Sequence, residues 1–208
     1  MTETIEYKII KKIKKARRGT LFSGDVFTSI GSPETIRRTL SRLVESGELD
    51  RVAPGIFVRP QIDSIIGKIT PTIEDITKAI AKRDKARIVP TGVYALNRLG
   101  LSTQVPMKIV YLTDGSARKI KVGNYTVSFV RTSPRNVAAI GKISRLAIQA
   151  LKSIGKDNVT QREIEHIENV LLNEKKTYLE HDLRIAPEWI KGIIRNSLEK
   201  MNNHEVRK

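Results

Sequence analysis

The first sixty residues carry apolar positions at helical spacing, interrupted by glycines at short intervals. From Thr4 to Arg17, isoleucines recur on one face and lysines cover the others, which predicts an amphipathic first helix. A short second helix is expected at about Ser23 to Ile30. A third begins where Ser32 can cap its N-terminus and Pro33 suits the first helical position. Three helices are therefore expected before Gly47.

The third predicted helix has an apolar stripe and an opposite polar face. Its buried residues are expected to be Ile36, Leu40, Leu43 and Val44. Its polar face is expected to present Thr35, Arg38, Thr39 and Arg42. After this helix, the segment from Leu49 to Val58 predicts two strands joined by a turn at Pro54-Gly55. Three helices followed by a β-hairpin are the pattern of a winged helix-turn-helix, here assigned to residues 1–60.

This pattern assigns candidate contacts to DNA. An α-helix fits the major groove, and its exposed side chains reach the edges of the bases. The four polar-face residues are therefore candidate DNA-binding residues, with Arg38 and Arg42 placed to contact either guanine or phosphate. In the hairpin, Arg51 and Arg59 are candidates for contacts to phosphate or to the minor groove. The alternative interpretation is a domain used for protein contacts, in which these charges are only solvated.

A second domain with both helices and strands is expected after a linker at residues 61–70. The predicted fold class is therefore α+β, with a small antiparallel sheet followed by C-terminal helices in a domain spanning 71–203. Asp114-Gly115 and Gly123-Asn124 are turn signals that separate the three main strands. These strands are expected at Lys108 to Leu112, Lys119 to Val122 and Tyr125 to Arg131. The last residues, 204–208, are predicted to form a disordered tail.

Charge strengthens the case for a polyanionic partner. The chain of 208 residues has a formal net charge of +16. Residues 1–60 hold 12 basic and 7 acidic side chains, residues 61–158 hold 17 and 6, and the last fifty hold 9 of each. The positive excess therefore lies in the first three quarters of the chain, and nucleic acid or an acidic protein surface is the expected partner.

Other chemistry is poorly represented. The sequence has no cysteine, which excludes disulfides and thiolate metal sites, and no apolar run long enough to cross a bilayer, so a cytoplasmic location without membrane contact is expected. Phosphate-binding loops, zinc-protease motifs and serine elbows are missing. Glu163 and His166 have a metal-ligand spacing, but Glu163 is better explained as part of a capping box with Thr160. Glu174 lacks a partner acid for nuclease chemistry. We expect no enzymatic activity, no metal and no cofactor.

One stretch resembles a known family. The segment "RIVPTGVYALNRLGLSTQVPMKIVYLTDGSARKIKVG", together with the predicted winged helix, resembles the AbiEi-type antitoxins of type IV toxin–antitoxin systems, over roughly residues 5–155. The more specific elements are Pro90-Thr91-Gly92, Leu99–Pro106 and the basic strands up to Val122. The resemblance implies a DNA-binding N-terminal domain that represses its own operon at inverted repeats. It also implies a C-terminal domain that counteracts a nucleotidyltransferase-like toxin.

The resemblance also implies roles for particular residues. The exposed face of the third helix would read the promoter, and Arg51 with the Gly55 turn would form the wing. The family's wing often has a basic residue just before the glycine, where this chain has Pro54. In the second domain, Arg118, Lys119 and Lys121 are candidate contacts to nucleic acid or to the toxin, or else lysines and an arginine that protect an edge strand.

Two alternatives stay open at this stage. One is a plain winged-helix transcriptional regulator whose second domain senses a ligand or dimerises. The other is an enzyme acting on nucleic acid, for which a complete set of site residues is missing. The oligomeric state is also open, with monomers binding cooperatively as one arrangement.

Overall fold

Helices and short strands alternate in the first third of the chain. The computed structural model describes residues 4–106 and 108–205, and the chain divides into two compact units after Ala86, with residues 120–124 grouped with the first unit. The first unit begins with α1 (Ile5–Lys15), β1 (Leu21–Ser23), a 3-10 helix (Gly24–Phe27), α2 (Pro33–Glu45), β2 (Asp50–Ala53) and β3 (Ile56–Val58). The mixture of helices and small sheets confirms the α+β class.

The strands β1, β3 and β2 form a three-stranded antiparallel sheet in that order. Leu21 of β1 and Asp50 of β2 both pair with Val58 of β3. The apolar core lies between the helices and this sheet and contains Ile9, Ile13, Phe22, Phe27, Ile36, Leu40, Leu43 and Leu49. The expected second helix is shorter than predicted, because β1 takes the residues up to Ser23 and only a 3-10 turn follows.

The start of α2 agrees with its predicted capping signals. Pro33 is the first helical residue, and the Ser32 hydroxyl accepts a hydrogen bond from the backbone N–H of Thr35 at 3.3 Å. This bond satisfies one of the free N–H groups at the helix N-terminus. Glu34 places a negative charge in the first turn, where the helix dipole favours it.

Residues 61–70 form a β-hairpin instead of the predicted linker. Strands β4 (Gln61–Asp63) and β5 (Gly67–Ile69) pair antiparallel. The Asp63 carboxylate accepts backbone hydrogen bonds from Ile65 and Ile66, at 2.8 and 3.1 Å, and so fixes the turn. These two bonds lower the pKa of Asp63 from its ordinary value. At the tip, 91% of Ile65 is exposed.

The first unit extends further than the predicted boundary at residue 60. Helix α3 (Ile73–Arg83) lies in the range 71–203 assigned to the second domain, yet it packs against β1 and β3 of the first unit. Its buried Ile76 and Ile80 account for this placement, because they need an apolar surface and the sheet supplies one. The Arg83 guanidinium also donates to the Pro54 carbonyl at 2.6 Å, next to the β2–β3 turn.

The second unit contains a mixed sheet, where a purely antiparallel one was predicted. Its elements are β6 (Ile88–Thr91), α4 (Val93–Arg98), β7 (Lys108–Thr113) and β9 (Tyr125–Arg131). Strand β8 (Arg118–Val122), whose residues 120–122 are grouped with the first unit, completes the sheet in the order β6-β7-β9-β8. Strand β6 is antiparallel to β7, whereas β7 is parallel to β9. The hairpin prediction for β8 and β9 was compatible with this order. It did not reveal that β9, rather than β8, pairs with β7.

The burial of β9 explains the strand order. Val127 and Phe129 of β9 are buried, whereas Lys119 and Lys121 of β8 are exposed. An apolar strand gains most free energy at the centre of a sheet, and a lysine-bearing strand tolerates the edge. The sheet therefore places β9 between β7 and β8.

A helical layer completes the second unit. A 3-10 helix (Pro134–Val137) is followed by α5 (Lys142–Ile154), α6 (Gln161–Leu171), α7 (Lys176–Ile185) and α8 (Glu188–Glu205). The core that these helices share with α4 includes Leu151, Ile167, Leu171, Leu179, Ile190 and Ile194. Helix α8 continues through residues 204 and 205, so the predicted tail 204–208 begins inside a helix, and residues 206–208 lie outside the described part.

The predicted capping box at the start of α6 is confirmed. The Thr160 hydroxyl accepts the Glu163 N–H at 3.3 Å, and the Glu163 carboxylate accepts the Thr160 N–H at 2.8 Å. These hydrogen bonds from Thr160 hold the pKa of Glu163 below its ordinary value. Glu163 therefore stabilises the helix start as a carboxylate.

Two buried carboxylates cap α5, whose own N-cap residue, Gly141, has no side chain to do so. Asp182 accepts the backbone N–H groups of Ile140 and Gly141, at 2.9 and 3.0 Å, and the hydroxyl of Ser144. Glu174 accepts the backbone N–H of Ile143 at 2.6 Å. Negative charge at a helix N-terminus is favourable, so α7 and the turn before it hold the start of α5 in place.

Candidate nucleic-acid interface

The exposed face of α2 is dominated by arginine. Arg37, Arg38 and Arg42 are exposed and border one shallow concavity with Ser41 and Glu45. The spacing explains this grouping, because positions 37, 41 and 45 form one row with a spacing of one turn and positions 38 and 42 form the next row. Both rows lie on the face opposite the buried stripe. The helix therefore presents a cluster of three guanidinium groups to solvent.

Two of these arginines form exposed ion pairs within the first unit. Arg38 contacts Glu34 at 2.6 Å, one helical turn away, and Arg42 contacts Glu6 of α1 at 3.0 Å. The side chains of Arg38 and Arg42 are 70% and 58% exposed. Pairs this accessible contribute only about 0–1 kcal/mol, so the arginines can exchange a carboxylate for another anion at little cost.

The structure places one of the two predicted threonines, Thr39, away from the exposed face. Thr39 is fully buried, because it lies three residues after Ile36 and one before Leu40, within the apolar stripe. Its expected place on the polar face is therefore wrong. Thr35 is half-buried, and its hydroxyl lies 2.9 Å from the Ser32 hydroxyl at the helix cap.

Sequence reasoning missed Arg37. It is exposed and follows the buried Ile36 directly, so it belongs to neither the stripe nor the predicted polar face. The signal was present as the four-residue spacing of Arg37, Ser41 and Glu45, which marks a single row along a helix.

A groove separates α2 from the β2–β3 hairpin. Its volume is about 780 Å³, and its walls include Arg37 on the helix and Arg51 on β2. The apolar part of the lining is contributed by Pro33, Ile36, Leu40, Val44 and Phe57. Gly55, which has a φ of +71°, forms the hairpin turn at one end of the groove. The structure thus brings the predicted wing residue Arg51 to the same groove as α2.

Arg59 has a different position from the one predicted. Its guanidinium donates to the backbone carbonyls of Lys14, at 2.9 Å, and Ala16. These carbonyls belong to the C-terminal end of α1, where free carbonyl oxygens attract a cation. Arg59 therefore joins the end of the hairpin to α1, and it is not available at the hairpin tip.

The candidate residues Arg118, Lys119 and Lys121 lie on the edge strand β8. Lys119 and Lys121 are exposed and alternate along β8, so both occupy one face of the strand. The Arg118 guanidinium lies over the Phe129 ring, 5.3 Å from its centre, in a cation–π contact. Both predicted alternatives, a contact surface and a protected edge, are compatible with this arrangement.

The residues considered for metal binding or catalysis have structural partners. His166 Nε2 lies 2.7 Å from the Leu99 carbonyl, Glu163 caps α6, and Glu174 caps α5. Within residues 4–106 and 108–205, no three histidine or acidic side chains cluster as metal ligands would. In the same residues, no helix is sufficiently long and apolar to span a membrane.

Comparison with known proteins identifies a family. A model for a family of unknown function, DUF6088, matches residues 8–179, and the chain belongs to that family. Among solved structures, the chain is similar to the RV2827C protein from Mycobacterium tuberculosis, with 13% sequence identity and a TM-score of 0.44. That match covers 96% of this chain and 82% of the other. No curated protein matches the chain.

Proposed function

We propose that the first unit contains a winged helix-turn-helix and that the protein is a DNA-binding regulator. In this proposal α2 is the recognition helix and the β2–β3 hairpin is the wing. The observation that carries the proposal is the arginine cluster on the exposed face of α2, with Arg51 across the groove. The three-stranded sheet β1-β3-β2 and the order of elements support it, because a winged helix requires the hairpin to lie beside the recognition helix.

The chemistry of the cluster fits DNA. Guanidinium groups bind guanine edges and phosphate oxygens through two parallel hydrogen bonds. Arg38 and Arg42, one turn apart, can contact neighbouring base pairs in the major groove. Arg37 and Arg51, which border the groove, are suited to the phosphates of the flanking backbone.

Pro54 makes the wing tip uncharged, so Arg51 carries the wing's contact in this proposal. The tip is also held by a hydrogen bond, because the Arg83 guanidinium of α3 donates to the Pro54 carbonyl. A tip fixed in this way loses little conformational entropy on binding.

Titration of the protein against its own upstream DNA tests this proposal. We expect binding far tighter than to an unrelated duplex of equal length, followed by fluorescence anisotropy at several salt concentrations. Contact with about five phosphates gives a log–log salt slope of about −4 to −5. Equal, weak binding to both duplexes would refute a sequence-specific regulator.

The second part of the proposal is an antitoxin role, and it is supported only by the AbiEi-type resemblance of roughly residues 5–155. In this role the protein represses its own operon at inverted repeats, and its second unit counteracts a nucleotidyltransferase-like toxin encoded beside it. Cooperative binding of monomers to two repeats would appear in the same titration as a steep isotherm.

Co-expression with the product of the neighbouring reading frame tests the antitoxin role. We expect the neighbouring product alone to arrest growth and co-expression of this chain to restore it. If growth is unaffected by either product while operator binding persists, the protein is a plain regulator, with a second unit that senses a ligand or dimerises.

A further inference from the structure

A long segment of the second half of the chain contains no acidic residue. Residues 115–156 include nine basic side chains and neither aspartate nor glutamate. The basic residues are Arg118, Lys119, Lys121, Arg131, Arg135, Lys142, Arg145, Lys152 and Lys156. The acid that precedes the segment, Asp114, is already engaged with Arg87, 2.7 Å away. The segment therefore carries nine positive charges, with Asp114 and Asp157 as the acids at its two borders.

Two cations of this segment are held close together after β9. Arg135 lies on the 3-10 helix (Pro134–Val137), and Lys152 lies in the last turn of α5. The Lys152 ammonium donates to the Asn136 side-chain carbonyl at 3.4 Å, and the Asn136 amide donates to the Thr132 hydroxyl at 2.9 Å. These hydrogen bonds bring Lys152 to Asn136, the residue that follows Arg135.

The two positive charges repel each other. Burial lowers the pKa of Lys152 from its ordinary value, and the positive charge of Arg135 lowers it further. In the part of the chain that the structure describes, Arg131, Arg135 and Lys152 form no ion pair with a carboxylate. An anion placed between the two cations would relieve the repulsion and accept hydrogen bonds from both.

We propose that Arg135 and Lys152, with Asn136 between them, form a phosphate-binding site for the backbone of nucleic acid in the second unit. The polyanion is favoured over an isolated anion because exposed cations continue on both sides of the pair in the sequence, at Arg131 and Lys156. It is favoured over an acidic protein because exposed cations that recur along the segment suit the regularly spaced phosphates of a nucleic-acid backbone.

This site goes beyond the proposed role of α2 and does not depend on it. The α2 cluster is proposed to read sequence, whereas a phosphate site adds affinity that is equal for all sequences. The two proposals therefore predict different losses, and each can fail without the other.

The test compares two double variants that lose the same charge. R135Q/K152Q removes the proposed site, and R162Q/R184Q removes two exposed cations of α6 and α7 as the control. Each is titrated with a duplex of unrelated sequence over a series of salt concentrations. Two lost phosphate contacts should make the log–log salt slope of R135Q/K152Q about 2 smaller in magnitude than that of the control.

Equal slopes for the two double variants would overturn the proposal. Because Arg135 is exposed, the single variant R135Q retains the fold and should lose about half of the effect, which guards against misfolding of the double variant. Polyglutamate serves as the probe for an acidic protein surface. If polyglutamate distinguishes the two double variants and the duplex does not, the site binds carboxylates and the phosphate assignment is wrong.

The operator titration separates this result from the proposed function. A slope difference without any preference for the upstream DNA supports the phosphate site and refutes sequence reading by α2. A preference for the upstream DNA, with equal salt slopes for the two double variants, supports sequence reading by α2 and refutes the phosphate site.

Discussion

Replacement of Asp182 by alanine is expected to lower the free energy of unfolding by roughly 3–5 kcal/mol, since three hydrogen-bond donors lose their acceptor and His181 Nδ1, 2.8 Å from the carboxylate, loses its partner. Two of these donors are backbone N–H groups at the start of α5, at Ile140 and Gly141. The third is the hydroxyl of Ser144, a fully buried residue. Asp182 itself is fully buried, so water replaces it poorly. The helix end would also lose a favourable charge at its N-terminus.

Urea unfolding followed by circular dichroism measures this effect. Asp157→Ala is the matched control, because Asp157 is exposed and follows the other end of α5. The control should change stability by no more than about 0.5 kcal/mol. Equal midpoints for the two variants would show that the carboxylate does not hold α5. Gly141→Ala should perturb the same helix start, since a Cβ there would collide with the Ser144 hydroxyl that donates to Asp182 and would lie 2.7 Å from a Glu174 carboxylate oxygen.

The double variant Arg38→Ala and Arg42→Ala is expected to lose its preference for upstream DNA by roughly 30-fold or more, if each arginine contributes about 1–3 kcal/mol of base discrimination. The fold should be retained, because both side chains are exposed and their partners Glu34 and Glu6 remain accessible to water. Anisotropy with the upstream duplex and an unrelated duplex gives the preference directly. This prediction rests on the proposed recognition role of α2.

The control for this double variant loses the same number of positive charges. Arg162→Ala with Arg184→Ala removes the same two charges from exposed positions of the second unit. The control should retain the full preference. An equal loss of preference in both variants would mean that charge, and not the α2 face, sets the affinity for upstream DNA. Arg37→Ala, on the groove wall, should weaken binding to both duplexes alike, as expected of a phosphate contact.

Local signals in the sequence were enough for the elements that they govern. The Ser32-Pro33 start of α2 and the Thr160–Glu163 capping box both formed as predicted, because a cap depends on residues within one turn of each other. The Gly123-Asn124 turn and the strands around it were predicted for the same reason. The α+β class followed from these elements together.

The candidate interface was predicted only in part. Helical spacing identified Arg38 and Arg42 as exposed, but it misplaced Thr39, because a threonine fits a polar face and an apolar stripe equally well. The sequence predicted Arg59 as part of the charged hairpin. Only the fold brings it to the α1 carbonyls, 43 and 45 residues away along the chain.

Sequence alone therefore predicts the helix starts, the turns, the charge excess and the arginines on one face of α2. The pairing of β7 with β9, the place of α3 in the first unit and the capping of α5 by Asp182 follow only from the three-dimensional fold. It also decided the approach of Lys152 to Asn136, next to Arg135. These arrangements join residues far apart in the chain, and their choice depends on which apolar surfaces bury each other and which polar groups then need a partner.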